Sequence, residues 1–206
     1  MTFYEERILP HLIDFACSAK PNQKQREKIV PLAQGEVLEI GFGSGLNLPY
    51  YRAENVRKIW ALEPSEGMRK KAAPMVEGFG RDVEFIDLPG EKIPLERSSV
   101  DTVVVTYSLC TIPDAVTALK GMRRVLRPNG KLLFCEHGIA PDDSVRRWQH
   151  RLNPAWRRVA GGCNMNRDIP ALLLEGGFEI LVDERMYIPG LRVLCYNYWG
   201  VAKAAR

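Results

Sequence analysis

Residues 37–45 read Val-Leu-Glu-Ile-Gly-Phe-Gly-Ser-Gly, an apolar strand that runs into a loop with glycine at every second position. A second apolar run, residues 59–62, ends on the carboxylate of Glu63, 18 residues beyond the last of those glycines. Glycine at a strand's carboxyl end lets the backbone turn sharply and lets a ligand approach it closely. A strand that turns this way, followed by a strand that stops on an acid, points to an open α/β sheet with a groove at its strand ends. The rest of the chain repeats the alternation. Apolar patterning predicts strands over 36–40, 58–63, 83–87, 101–106 and 131–136, with helices over 47–52, 66–78 and 114–126 between them. In the last of these helices Ala115, Leu119, Met122 and Leu126 recur at helical spacing, and Pro128, Asn129 and Gly130 make a turn. Such alternation implies parallel strands covered on both faces, because each parallel crossover needs a helix to return the chain. The near-continuous apolar runs 103–105 and 132–134 agree with burial on both sides. Two final strands, 178–184 and 193–202, are separated by a Pro189-Gly190 connector too short for a crossover, so they should form an antiparallel hairpin.

The glycine pattern also limits the ligand. A dinucleotide fingerprint requires a sixth-place glycine counted from Gly41, and that place holds Leu46. No phosphate-binding G-x-x-x-x-G-K-[ST] loop occurs either. A cofactor with a ribose and no phosphates fits best, and S-adenosylmethionine has that form. The expected contacts begin with Glu39, inside the strand end, and with Gly41, Gly43 and Gly45. A helix starting near Asn47 would turn its free N–H groups toward a carboxylate. Glu63 should accept both ribose hydroxyls.

The glycine loop, the strand-end acid and the later turn at residues 125–132 (Val-Leu-Arg-Pro-Asn-Gly-Lys-Leu), in this order, resemble the class I S-adenosylmethionine-dependent methyltransferases over about residues 28–203. The resemblance implies a single Rossmann-like seven-stranded sheet, mostly parallel with a C-terminal antiparallel hairpin and helices on both faces. It also implies that Phe42 and Asn47 line the methionine end, that Pro64 and Met68 lie near the adenosine, and that Thr106 and Leu109 border the transferred methyl group. Related enzymes often place an aspartate after the third strand to bond the adenine amino group. Here Pro89 holds that position, so adenine would fall to backbone near Gly90, to Asp87, or to apolar packing.

At 206 residues the chain is read as one domain, 1–206, with N-terminal helices over 1–33 and a substrate-side lid over 137–168. The N-terminal helices are expected at 4–19, with Ile8, Leu12, Phe15 and Ala16 on one side and a kink or delayed start at Pro10, and at 22–33, with Lys24, Arg26 and Lys28 outward. No apolar run approaches bilayer length and no signal peptide is visible, so the expected location is the cytoplasm. Five scattered cysteines show no zinc-like spacing, and no metal is expected. Cys135 and Cys195 read as small core residues, and Cys110 as a buried structural thiol.

The lid is the most distinctive segment. Glu136-His137-Gly138 ends a strand. A Trp148-Gln149 pair, Leu152, Pro154 and Trp156 follow, and then Gly162, Cys163, Asn164 and Arg167. This pattern resembles the methyltransferase-like thiol S-methyltransferases and their bacterial relatives, which share a cysteine at the Cys110 position. The resemblance implies methylation of small thiols, and the animal members associate with membranes. Val145, Trp148 and Leu152 would form one helical face, with Asn153 and Pro154 ending that helix and starting another. Two readings stand: a lid helix packed by tryptophans with arginines in solvent, or a basic aromatic surface touching anionic lipid as a peripheral membrane contact. Nucleic acid is not expected, since no second basic patch accompanies the net charge of +4. His137 is the candidate base or substrate-positioning group, and the competing reading is a structural histidine bonded to Asn164 or to backbone. Cys163, Asn164 and Arg167 are candidate pocket or lid residues, and Arg167 could neutralise Asp168. The expected activity is methyl transfer to a small molecule, with a thiol preferred. The alternatives are a phospholipid or quinone methyltransferase at the membrane surface, and a non-catalytic cofactor-binding regulator.

Overall fold

A computed structural model describes residues 9–205 of the chain, so Ile8 and the first turns expected of the 4–19 helix lie outside the described residues. Two helices, α1 (Leu9–Cys17) and α2 (Lys20–Ile29), lead into the alternating part. That part runs β1 (Gly35–Ile40), β2 (Val56–Leu62), α3 (Glu66–Phe79), β3 (Asp82–Ile86), β4 (Val100–Thr106), α4 (Ala115–Val125) and β5 (Leu126–His137). It closes with α5 (Asp143–Val159), α6 (Ile169–Glu175), β6 (Phe178–Tyr187) and β7 (Tyr196–Ala204). The strands form one seven-stranded sheet in the order β3-β2-β1-β4-β5-β7-β6. β1 to β5 pair in parallel, and β7 pairs antiparallel with both β5 and β6. Parallel strands ending in an antiparallel hairpin were expected. The hairpin's connector, residues 188–195, is longer than the Pro189-Gly190 turn suggested.

Side chains alternate across the pleat. Leu38, Ile40, Val103, Val105, Leu132 and Phe134 face one layer, where Leu119 and Met122 of α4 and Ile169 and Leu173 of α6 pack. Val37, Val104, Leu133 and Cys135 face the other layer, with Ile29 of α2 and Ala72 of α3. Each large apolar side chain enclosed this way contributes about 1.5–3 kcal/mol. The open carboxyl ends of β1, β2 and β4 are left to hold the site.

Several local expectations fail. Residues 128–130, expected as a turn, are part of β5. Residues 47–52 form no α-helix. Pro49 sits in a three-residue 3-10 turn, Leu48–Tyr50, and Tyr51 is already extended, so no helix N-terminus faces the glycine loop. α5 does not break at Asn153 and Pro154. Asn153 is buried and its side chain is tied to Asn164 and to the Met165 N–H, which holds the helix through the proline. Arg26 does not face solvent. It is buried, its Nη1 donates to the Cys17 carbonyl at 2.7 Å, and its guanidinium lies over the Tyr107 ring. Among the described residues no helix is long and apolar enough to cross a membrane.

Candidate active site

After Ile40 the chain turns at Gly41 with φ +67°. The N–H groups of Gly41 and Phe42 both donate to the Leu62 carbonyl, which folds the loop over the end of β2. A Cβ at Gly41 would stand 2.2 Å from Ser108 Oγ, so glycine is required here by conformation and by space. Farther along, the Gly43 N–H donates to Glu63 Oε2 at 2.9 Å and the Ser65 N–H donates to Oε1 at 2.8 Å. Both carboxylate oxygens are thereby fixed in the wall of a cavity of about 470 Å³, with lone pairs remaining for two hydroxyl donors. Burial raises the Glu63 carboxyl above its ordinary range, partly opposed by those two N–H groups.

Glu39 is wholly buried beneath the loop. It accepts from Asn47 Nδ2 at 2.9 Å and from the Tyr51 hydroxyl at 2.7 Å. Burial pushes its carboxyl up to about 7 against those two bonds. Asn47 Nδ2 also donates to Thr106 Oγ1 at 3.0 Å, so the amide is oriented from two sides. Its Oδ1 is buried without a hydrogen-bond partner, which leaves an acceptor in the cavity wall suited to an ammonium group. These features fit S-adenosylmethionine: a carboxylate for the ribose, an unused acceptor for the amino group, and acidic side chains around a cationic sulfonium.

Of the residues expected at the cofactor, Glu39, Gly41, Phe42, Gly43, Asn47, Glu63, Pro64, Met68, Pro89, Gly90 and Thr106 line this cavity. Gly45 and Leu109 do not. Gly45 turns the chain behind the wall at φ +82°, against Leu48 and Phe42. Leu109 is fully enclosed in the core, its N–H bonded to Glu136. Asp87 is held by both terminal nitrogens of Arg69, at 2.7 and 3.0 Å. Asp87 does not line the cavity, whereas Met68, Pro89, Gly90 and Ile112 do.

His137 lies elsewhere. It lines a second cavity of about 460 Å³ with Cys110, Cys163, Trp156 and Asn197. Ile13, Cys17, Tyr107 and Thr111 border both cavities, so the two meet at a shared wall. Tyr107 stands in that wall at φ +52°, a sparsely populated conformation for a non-glycine residue, with its hydroxyl on Asn197 Oδ1. His137 Nε2 is 3.2 Å from Cys163 Sγ, and Nδ1 is buried without a partner. Its bond is therefore neither to Asn164 nor to backbone. Burial alone would lower the His137 pKa, but Cys163 and the neighbouring Glu136 carboxylate outweigh it and leave it raised. Asn164 clamps Cys110 instead, its backbone and side-chain nitrogens both donating to the Cys110 carbonyl. Arg167 donates to the carbonyls of Leu109 and Pro113, while Asp168 caps α6 through the Ala171 N–H. The expected Arg167–Asp168 pairing is replaced by these contacts.

No spacing along the chain signals that α1 borders the site. Ile13, Asp14 and Cys17 line the cofactor cavity, and Ser44 donates to the Asp14 carboxylate, which Lys71 also approaches. Only the tertiary placement of α1 across the strand ends reveals this.

The comparisons agree with the geometry. Residues 38–134 match a methyltransferase domain family. A human thiol S-methyltransferase, TMT1B, is 34% identical over 163 residues, covering 76% of this chain and 66% of that protein. The mitochondrial methyltransferase OMS1 of Saccharomyces cerevisiae is 28% identical over 190 residues, covering 80% of this chain and 38% of its own length. The chain thus spans under two thirds of these curated relatives. A crystal structure from Thermotoga maritima, described as an S-adenosylmethionine-dependent methyltransferase and possible histamine N-methyltransferase, superposes with a TM-score of 0.66. It shares 19% identity and covers 98% of this chain and 97% of that one, a likeness of fold.

Proposed function

The chain carries a class I S-adenosylmethionine-dependent methyltransferase domain, and from that premise we propose that it methylates a small thiol. The observation that carries this reading is the composition of the second cavity. Among the described residues its lining includes no Asp, Glu, Lys or Arg, and is made of apolar, hydroxyl, amide, imidazole and thiol groups. A cationic amine or an anionic acceptor would lose its hydration there without an opposite charge to replace it. A neutral thiol enters at low cost. With an ordinary pKa of about 8.5 it is already partly ionised at neutral pH, so a weak base suffices.

Bound S-adenosylmethionine supplies an electrophilic methyl carbon on a sulfonium. The chain's own residues supply position. Glu63 and the Gly43 loop fix the donor's sugar, Asn47 offers its free acceptor, and Tyr107 and Thr111 form the boundary across which the acceptor must approach. Holding the two reacting atoms about 3–3.5 Å apart accounts for much of the rate in such a displacement. His137 lies on the acceptor side, where it can take the thiol's proton or orient the sulfur. The human thiol S-methyltransferase named above favours the same acceptor class.

A second reading, a lipid or quinol acceptor drawn from a membrane surface, rests on exposed apolar side chains. Leu12 and Phe15 of α1 and Trp148, Leu152 and Val159 of α5 are all exposed, and Leu12 and Val159 also line the second cavity. Of the two lid tryptophans Trp148 is 54% exposed, whereas Trp156 lines the second cavity. The deciding experiment supplies purified protein and S-adenosylmethionine with small alkyl thiols, hydrogen sulfide, amines, a quinol and anionic phospholipid vesicles, and identifies products by mass. S-methylated thiols are the expected products. Turnover of the quinol or phospholipid with none of the thiols would replace the thiol reading with the membrane one.

A further inference from the structure

The acceptor cavity contains a cluster that methyl transfer by itself does not require. The Sγ atoms of Cys110 and Cys163 and a ring nitrogen of His137 all lie within 4.8 Å of one another. The His137 Nε2 to Cys163 Sγ separation is 3.2 Å. A tetrahedral ion with metal–sulfur bonds of about 2.3 Å and metal–nitrogen bonds of about 2.0 Å sets its N and S ligands about 3.5 Å apart and its two sulfurs about 3.8 Å apart. One pair stands at 3.2 Å and all three lie within 4.8 Å, a range that spans these spacings. Its members come from three separate elements, the turn after β4, the end of β5 and the loop after α5, so no local sequence motif announces them.

We infer that Cys110, His137 and Cys163 form a binding site for a soft divalent cation of the zinc class, with its fourth position open to the acceptor cavity. Three features of the chain carry this. First, the ligands are held in place. The Asn164 N–H and Nδ2 fix the Cys110 carbonyl at 2.8 and 2.9 Å, Asn153 Nδ2 holds Asn164, and His137 lies in the β5–β7 ladder opposite Asn197. Second, the charges close. Two thiolates and one neutral imidazole balance a divalent ion, whereas a monovalent ion would leave a net charge in a cavity whose described lining holds no Asp, Glu, Lys or Arg. Third, the donors are soft, two sulfurs and an imidazole, the set that favours zinc over magnesium or calcium. All three side chains border the cavity, so a ligand entering it completes the tetrahedron. Three protein ligands with an open fourth position are the arrangement of reactive rather than structural zinc sites.

The open position deepens the thiol reading and rests on it. An acceptor thiol that bound there would give up its S–H proton to solvent water, because a coordinated thiol is held deprotonated, and the one negative charge it adds would be opposite in sign to the donor's sulfonium. His137, bound through Nε2, then carries its remaining proton on Nδ1 and serves as a ligand instead of a base.

Cobalt(II) makes the site visible. Fully reduced protein is titrated with cobalt(II), and thiolate-to-metal charge-transfer absorption and the visible bands of a tetrahedral centre are recorded, followed by zinc displacement. About one equivalent is expected to bind. Cys163→Ser and His137→Ala should each weaken binding at least about tenfold, the scale that even outer-sphere partners carry. The melting profile and S-adenosylmethionine affinity of each variant report whether it has folded. Absence of the charge-transfer band in folded, reduced wild-type protein overturns the ion site. If that protein still methylates thiols, the function reading survives and the ion alone is lost. If cobalt binds, a small alkyl thiol should shift the visible bands, and bands indifferent to thiol overturn the open-position claim. Turnover of no thiol, with cobalt bound, instead removes the acceptor reading.

Discussion

At the residue scale, the donor end of the site centres on one side chain. Glu63 follows β2 directly with both oxygens already bonded to N–H groups, yet it remains in the cavity wall. Replacing it with alanine removes the charge-assisted acceptors for the ribose and leaves two N–H donors facing the ligand. Glu63→Ala should weaken S-adenosylmethionine binding by about 1.5–3 kcal/mol, and titration calorimetry reads that loss directly. Only the ionised carboxylate offers acceptors to both hydroxyls. Because burial raises its pKa, wild-type affinity should begin to fall at a higher pH than an ordinary carboxylate would dictate. An unchanged dissociation constant in the alanine variant would place the ribose elsewhere. This residue was legible in the sequence because its signal is local: a strand, a stop and an acid at fixed distance from a glycine loop. Cys110, His137 and Cys163 carried no such signal. Their proximity depends on where β5 and the loop after α5 cross the sheet, which no spacing along the chain encodes.

At the element scale, the acceptor side is assembled by Gln149 of α5. It is fully buried; its Oε1 accepts from the Ala140 N–H, and its Nε2 donates to the carbonyls of Gly138, Met165 and Val193. A single amide thus joins α5 to the end of β5, to the loop that carries Cys163 and to the β6–β7 connector. A leucine of similar volume at this position would strand one buried N–H and three carbonyls. Gln149→Leu should therefore destabilise the fold by about 1–3 kcal/mol for each group that finds no water, read as a lowered denaturant midpoint. Gln149→Glu should cost more, since an added carboxylate oxygen would face three carbonyl oxygens. Stability unchanged by either substitution would mean that α5 is not anchored through this amide. Elements are where sequence reading did best and worst here. Parallel strands and α4 announce themselves by uninterrupted apolar runs and by helical spacing, which depend on neighbours along the chain. The continuity of α5 through Pro154, and the collapse of residues 47–52 into a short 3-10 turn, depend on which partners the backbone meets after folding.

At the scale of the whole molecule, the sheet encloses two carboxyl groups on its opposite faces, Glu39 on β1 and Glu136 on β5, and burial pushes each up to about 7. Both occupy strands whose neighbours are apolar, so the cost of ionising them falls on the folded state alone. Below the unfolded value near 4.5 both states are protonated and the full contribution to stability is present. Between that value and about 7 the unfolded chain ionises while the folded one resists, so stability falls as pH rises, and the loss is complete once the folded groups also ionise. Glu136→Gln isolates one of these groups, because its side-chain oxygen can still accept the N–H groups of Ser108 and Leu109 that Glu136 Oε1 holds at 2.7 and 3.0 Å. Urea denaturation of both proteins across this range should show the variant gaining on the wild type from about pH 4.5 to about pH 7, with a constant gap outside it. A gap that does not change with pH would mean that Glu136 ionises as freely in the sheet as in water. The enclosed end of β5 would then be wetter than its burial implies, and the second cavity beside it, which His137 lines, could not exclude water.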